Sequence, residues 1–266
     1  MRKWLSLVVL LVLVMIPFGC SNEGDVKGAG ESPSVKEQNV ELMISAAASL
    51  TDALTDMKAS FEKEHENIKL TFIFGSSGKL VQQIENGAPS DMFLSASKKD
   101  MDTLQEGKLL VEETRVDFTA NELVLIANRD STLTIDSFEA IDPAAIDHFA
   151  IGEPESVPVG RYTKEVLEHI GLWEPLAGKM VQGSDVRQVL THVEMGNADV
   201  GIVYSSDAKI SDKVKVLATA NAEWHEPIVY PGAVISESKH VDEAKAFMAF
   251  LTSDAGKEIL KRYGFK

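Results

Sequence analysis

From Glu41 onward, short apolar runs alternate with stretches whose apolar residues recur at helical spacing. Residues 42–47 read as a buried strand. Leu50, Leu54, Met57 and Phe61, at steps of 4, 3 and 4, mark the inner face of a helix over 50–64. Residues 70–74 predict a second strand, 80–84 sit in a helix, 91–96 form a third strand, and Met101 and Leu104 belong to another helix. A second series begins with the strand at 121–127. It runs through 148–151, a helix over 160–170, a helix carrying Val186, Val189, Leu190 and Val193, and strands at 200–204 and 214–217. The apolar run 227–235 is placed to cross back to the first half, and 241–251 and 255–263 close the chain as two helices. Repeated βα units imply a mainly parallel sheet covered on both faces, with ligands bound beyond the carboxyl ends of the strands. The expected architecture is α/β: lobe 1 from 40–119 plus 237–266, lobe 2 from 120–236, and a cleft between them. No tandem repeat is visible.

The N-terminus has a different pattern. Arg2 and Lys3 precede an apolar run over 7–16, shorter than the roughly 20 residues a spanning helix needs. A charged start and a short apolar core predict an export signal over 1–20. The single cysteine, Cys20, follows Gly19 at its end. The segment 17–20 is similar to a bacterial lipoprotein cleavage box, although Pro17 stands where that pattern usually has leucine. Cys20 is therefore expected to carry a lipid, and a lone cysteine leaves no internal disulfide. Residues 21–39 are polar and rich in Gly, Ser, Pro and charge, and read as a flexible tether reaching roughly 25 Å. These features place the chain outside the cytoplasm, anchored to the outer face of the cell membrane, or in a periplasm where an outer membrane exists.

Composition adds one exclusion. With 44% hydrophobic and 25% charged residues the chain is globular in character, and its formal net charge is −15. Such an acidic surface excludes nucleic acid as a partner. It leaves room for a small anion, because a buried pocket answers to local dipoles.

The candidate chemistry lies in the βα turns. The first, Ala46-Ala47-Ala48-Ser49-Leu50, ends a strand with three small residues and puts Ser49 at or near a helix N-cap. Free N–H groups and the positive end of the helix dipole face whatever sits there. The second, Phe74-Gly75-Ser76-Ser77-Gly78-Lys79, offers glycine flexibility and two hydroxyls. It shares the composition of a nucleotide P-loop but has two residues between its glycines where that loop needs four, and Leu80 follows the lysine. The third, over 152–160, is stiffened by Pro154 and Pro158 and opens a helix at Val159-Gly160. In the fourth, over 183–187, Ser184 or Asp185 would cap, leaving amides near Val186 outward. The fifth, over 201–207, ends a strand with the phenol of Tyr204, a neutral donor. Each alone has an ordinary structural explanation. Together, four helix starts and a phenol at strand ends in two lobes predict an anion site.

These motifs, with Gly87-Ala88-Pro89-Ser90-Asp91, Asp185-Val186-Arg187 and Lys261-Arg262-Tyr263-Gly264-Phe265 in the same order, make the chain from about Glu41 onward resemble the extracytoplasmic molybdate-binding proteins of ABC transporters. The resemblance implies a two-lobed type II periplasmic-binding-protein fold closing on molybdate or tungstate. Hydroxyls and amides would hold the anion, with no cofactor and no direct cation ligand. By position it implies the hydroxyls of Ser49 and Ser77, the amides of Val159 and Val186, and the phenol of Tyr204. It also implies a membrane permease as partner and a monomeric binding protein. Lys79 departs from the neutral residues some relatives have there.

Two other functions are open to the same residues. Ser49 or Ser77 as a hydrolase nucleophile would need a base within hydrogen-bond reach, and His65, His148, His169, His192, His225 and His240 all lie outside the five turns. A binding protein for sulfate, phosphate or another small anion would use the same donors. A ferric-ion binder would want clustered tyrosines, histidines or carboxylates, and Tyr204 stands apart from the other tyrosines in sequence.

Overall fold

The computed structural model describes residues 39–266, so the leader with Cys20 and the tether over 21–38 lie outside the described residues. The first half of the described chain runs β1 (Val40–Ala47), α1 (Thr51–Glu64), β2 (Ile68–Gly75), α2 (Ser77–Glu85), β3 (Met92–Leu94), α3 (Lys98–Glu106) and β4 (Val116–Ala120). The second runs β5 (Leu123–Asn128), β6 (Phe149–Gly152), α4 (Pro158–His169), α5 (Trp173–Leu176), β7 (Met180–Gly183), α6 (Val186–Glu194), β8 (Val200–Tyr204), α7 (Ser205–Lys209) and β9 (Val214–Thr219). The chain then returns through β10 (Val229–Val234) and ends in α8 (Val241–Thr252) and α9 (Asp254–Arg262).

Two five-stranded sheets result, ordered β2-β1-β3-β10-β4 and β7-β6-β8-β5-β9. The plan is the same in each lobe: three parallel strands, one strand running against them, and an edge strand beyond. The expectation of mainly parallel sheets is thus corrected at β5 and β10, each antiparallel to both its neighbours. These are the strands on which the chain enters a lobe from the other one, so they start from the end at which the βα strands finish. The proposed division also moves. Strand β10 pairs with β3 and β4 in the first sheet, so the return crossing falls before Val229 and the second lobe does not extend to 236. Both crossings are laced together, Asn121 N–H donating to the Ile228 carbonyl at 3.0 Å and Ala220 N–H to that of Leu123 at 3.0 Å.

The strand ends are held by packing on both faces. Leu42, Ile44 and Ala46 on β1 are buried with Leu54, Met57 and Phe61 of α1, where the Phe61 ring meets Phe247 and Phe250 of α8 edge-on. A second cluster of Leu80, Val81, Ile84, Phe93, Met101 and Leu104 covers the opposite face with α2 and α3. In the second lobe, β8 is buried along its whole length and β5 over 123–127, as their continuous apolar runs require. The weakly patterned β4 and β7 are edge strands and gave no clear sequence signal. Among the described residues no helix is long and apolar enough to cross a membrane.

Candidate functional site

Ser49, Ser77, Val159, Val186 and Tyr204 line one hollow between the two sheets, together with Ala47, Ala48, Ser76, Pro158 and Asp185 among others. The space between its atoms, open solvent at its mouth included, is about 200 Å³. No lysine, arginine or histidine is among its lining residues, so any anion there would meet neutral donors.

Each donor is set by local chemistry. Chain leaving β1 makes one tight turn over Ala48–Leu50 before α1 begins at Thr51, and the small side chains of Ala47 and Ala48 leave the backbone open. Ser49 lies near the α1 N-cap as expected, directly before the cap residue Leu50, but its side chain makes no cap bond. Its Oγ lies 2.9 Å from Tyr230 Oη, a partner 181 residues away that local sequence could not reveal. At α2, Ser77 is fully buried and its Oγ accepts the Ala96 N–H at 3.0 Å, while Ser76 Oγ is buried with no partner in the protein. The sequence reading selected the second serine of this pair and passed over the first. At α4, Pro158 supplies the first turn with a residue that has no N–H, and the Val159 amide precedes any residue whose N–H a carbonyl of this turn can take. At α6 the open choice of cap is settled: Asp185 Oδ1 accepts from Arg187 N–H at 2.8 Å and Gln188 N–H at 3.0 Å. That leaves the Val186 amide uncapped.

Tyr204 ends β8 almost completely buried, and its Oη has no hydrogen-bond partner in the protein. Burial, and after it the neighbouring Tyr230, push its ionisation well above the ordinary tyrosine value of 10. The phenol therefore keeps its proton and is a donor in want of an acceptor.

Around the hollow the lobes touch directly. Gly78 N–H of α2 donates to the Ser156 carbonyl of the second lobe at 3.1 Å, and Lys79 Nζ reaches the Ser184 carbonyl at 3.3 Å. Lys79 thus sits at the rim as a strap between lobes and does not line the hollow. On one side Arg161 of α4 pairs with Asp100 of α3. On the other, Arg187 of α6 meets Asp52 of α1 at 2.6 Å and Asp207 of α7 at 2.7 Å. The Arg187–Asp207 contact is one of charge more than of aligned hydrogen bonds, since neither Nε nor either carboxylate oxygen has a well-directed partner. Burial pushes the Asp207 carboxyl up to about 6, against the pull of the guanidinium. Among the described residues no group of three or more His, Cys, Asp or Glu side chains is placed to hold a metal ion.

Residues 42–266 match the family model for the bacterial extracellular solute-binding proteins. The chain belongs to this family. It is 40% identical to the molybdate-binding protein ModA of Escherichia coli over 85% of its length and 88% of that protein's. It is 39% identical to the molybdate-binding protein ModA of Haemophilus influenzae over 85% and 90% of the two chains. Among solved structures, the periplasmic molybdate-binding protein of Azotobacter vinelandii superposes with a TM-score of 0.76 over 85% of this chain and 98% of that one, at 24% identity. The two lobes are those of the type II periplasmic-binding-protein fold. As a family member, this is an extracytoplasmic solute-binding protein.

Proposed function

We propose that this solute-binding protein captures molybdate, and also tungstate, and delivers it to the membrane permease of an ABC transporter. Ser49 and Ser77 would hold the anion through their hydroxyls, Val159 and Val186 through their amides, and Tyr204 through its phenol. The observation that carries this reading is the Tyr204 hydroxyl, buried and unpartnered at a hollow lined by helix starts from both lobes and by no cation. A tetrahedral dianion brings acceptor oxygens and no proton, which suits donors that need an acceptor. Each hydrogen bond to a charged group contributes roughly 1.5–3 kcal/mol, so five such donors offset much of the dehydration cost. Contacts from both lobes favour the closed arrangement, which is the form a permease would recognise. Discrimination from sulfate, also a tetrahedral dianion, falls to the size of the hollow. The mode of binding calls for no cofactor, and neither serine is a nucleophile in this reading: Ser49 Oγ meets a phenol and Ser77 Oγ an amide, neither of them a base.

Thermal unfolding with molybdate, tungstate, sulfate and phosphate in turn tests the assignment. A ligand at about 100 times its dissociation constant adds roughly 2.7 kcal/mol of stability. Molybdate and tungstate are expected to raise the unfolding midpoint and the other two to leave it in place. No shift with either of the first pair refutes the function, and an equal shift with sulfate refutes the size argument.

The chain would work as a monomer held to the outer face of the membrane by a lipid on Cys20. Cys20→Ser should move the protein from the membrane fraction to the soluble fraction. A wild-type chain already soluble would end the anchoring proposal and leave the binding site untouched.

A further inference from the structure

Three of the donor-bearing turns each carry a charged residue just beyond the donor, and the three charges meet. Arg187 follows Val186 at the start of α6, Asp207 comes shortly after Tyr204 on α7, and Asp52 shortly after Ser49 in the first turn of α1. Within the second lobe Arg187 Nε lies 2.7 Å from Asp207 Oδ1. Across the cleft its Nη2 lies 2.6 Å from Asp52 Oδ2, and the same nitrogen donates to the Ser49 carbonyl at 3.4 Å. Asp207 is completely buried, and among the described residues Arg187 is the cation within ion-pair distance of it. A buried carboxylate holds such a counter-ion firmly, because losing it leaves a charge with neither water nor partner. The guanidinium is therefore fixed by its own lobe while facing the other, and its planar fork can serve both carboxylates at once. None of the three charges lines the hollow.

Resting on the oxyanion reading of the site, we infer that Arg187 is a positioning residue for binding, a latch that Asp207 holds ready in the second lobe and that closes on Asp52 and the Ser49 carbonyl of the first. When the lobes part, Arg187 keeps Asp207 and loses both partners across the cleft. When they meet, one side chain ties together the turns of Ser49, Val186 and Tyr204, and with them donors from both lobes. The latch does not touch the anion. It favours the closed arrangement from which the anion cannot leave.

The sign of one substitution decides between a latch and a bystander. Asp52 is a negative charge close to a site for a dianion, so by charge alone its removal should tighten binding. As the partner of Arg187, its removal should loosen it. The readout is the release of radiolabelled molybdate into an excess of the unlabelled anion. Asp52→Asn is expected to speed release about threefold, the worth of a part-exposed ion pair. Asp52→Lys sets like charges face to face and should speed it further, although the new charge by itself would attract the anion. Asp52→Glu keeps the carboxylate and should hold the rate near that of wild type. Arg187→Lys leaves a single ammonium with the buried Asp207, should speed release as Asp52→Asn does, and should make that second substitution silent. Release unchanged or slower in both Asp52→Asn and Asp52→Lys overturns the latch while wild-type molybdate binding stands. So does release as fast in Asp52→Glu as in Asp52→Asn, or effects of Arg187→Lys and Asp52→Asn that simply add. Wild-type protein that binds no molybdate removes the functional reading and the latch with it.

Discussion

Gly78→Ala will lower the affinity for molybdate by at least about a hundredfold while leaving the unliganded protein as stable as before or slightly more so. Gly78 is the second residue of α2, and a Cβ built there would stand 2.5 Å from the Ser156 carbonyl oxygen and 3.1 Å from its Cα and carbonyl carbon. Those are backbone atoms of the opposite lobe, held in the turn before α4 by the Ser156 N–H and Val157 N–H bonds to the Glu153 carbonyl. They cannot give as a flexible side chain would, so the lobes must stand further apart. The second lobe carries Val159, Val186 and Tyr204, and losing even two hydrogen bonds of about 1.5 kcal/mol to the anion amounts to more than a hundredfold. Within its own lobe the alanine is welcome, since it improves helix propensity by about 1 kcal/mol over glycine. Calorimetric titration gives the affinity and thermal unfolding without ligand gives the stability. An affinity within twofold of wild type would show that the Gly78–Ser156 approach has no part in gripping the anion. A fall in both quantities together would show damage to the fold.

The same glycine illustrates what sequence alone could and could not convey. Helix starts are local events, so the turns at Ser49, Ser77, Val159, Val186 and Tyr204 were legible from apolar spacing, glycines and capping residues, and all five line the one hollow. The partner of each group is a long-range matter. Gly78 reads as a flexible turn residue until Ser156 is found against it, and Ser49 reads as a cap until Tyr230 is found behind it. Lys79 reads only as a departure from the neutral residues of some relatives until its Nζ is seen at the Ser184 carbonyl. In the fold, the buried runs of β1, β5 and β8 declared themselves, whereas β4 alternates weakly along an edge and β7 is four residues long. Strand direction is carried by no residue at all. β5 and β10 run against their neighbours because of where the chain crosses between lobes.

Tyr204→Phe separates affinity from stability in the opposite sense to a core substitution, and for that reason tests the site most directly. The phenol oxygen is buried without a partner in the protein, a condition that costs roughly 1–3 kcal/mol for a polar group. Removing it relieves that cost, and the ring that packs edge-on to Tyr230, with centroids 6.0 Å apart, remains. Unliganded Tyr204→Phe protein should therefore unfold at the same temperature as wild type or higher. Its affinity for molybdate should fall by about tenfold to a hundredfold, the worth of one hydrogen bond to a charged oxygen. Because burial keeps the phenol protonated far above neutral pH, the affinity ratio between the two proteins should stay constant across the neutral range. An unchanged affinity would take Tyr204 out of the site. A drop in unliganded stability would mean that its hydroxyl serves the fold, and a buried donor reserved for an arriving acceptor would no longer describe it.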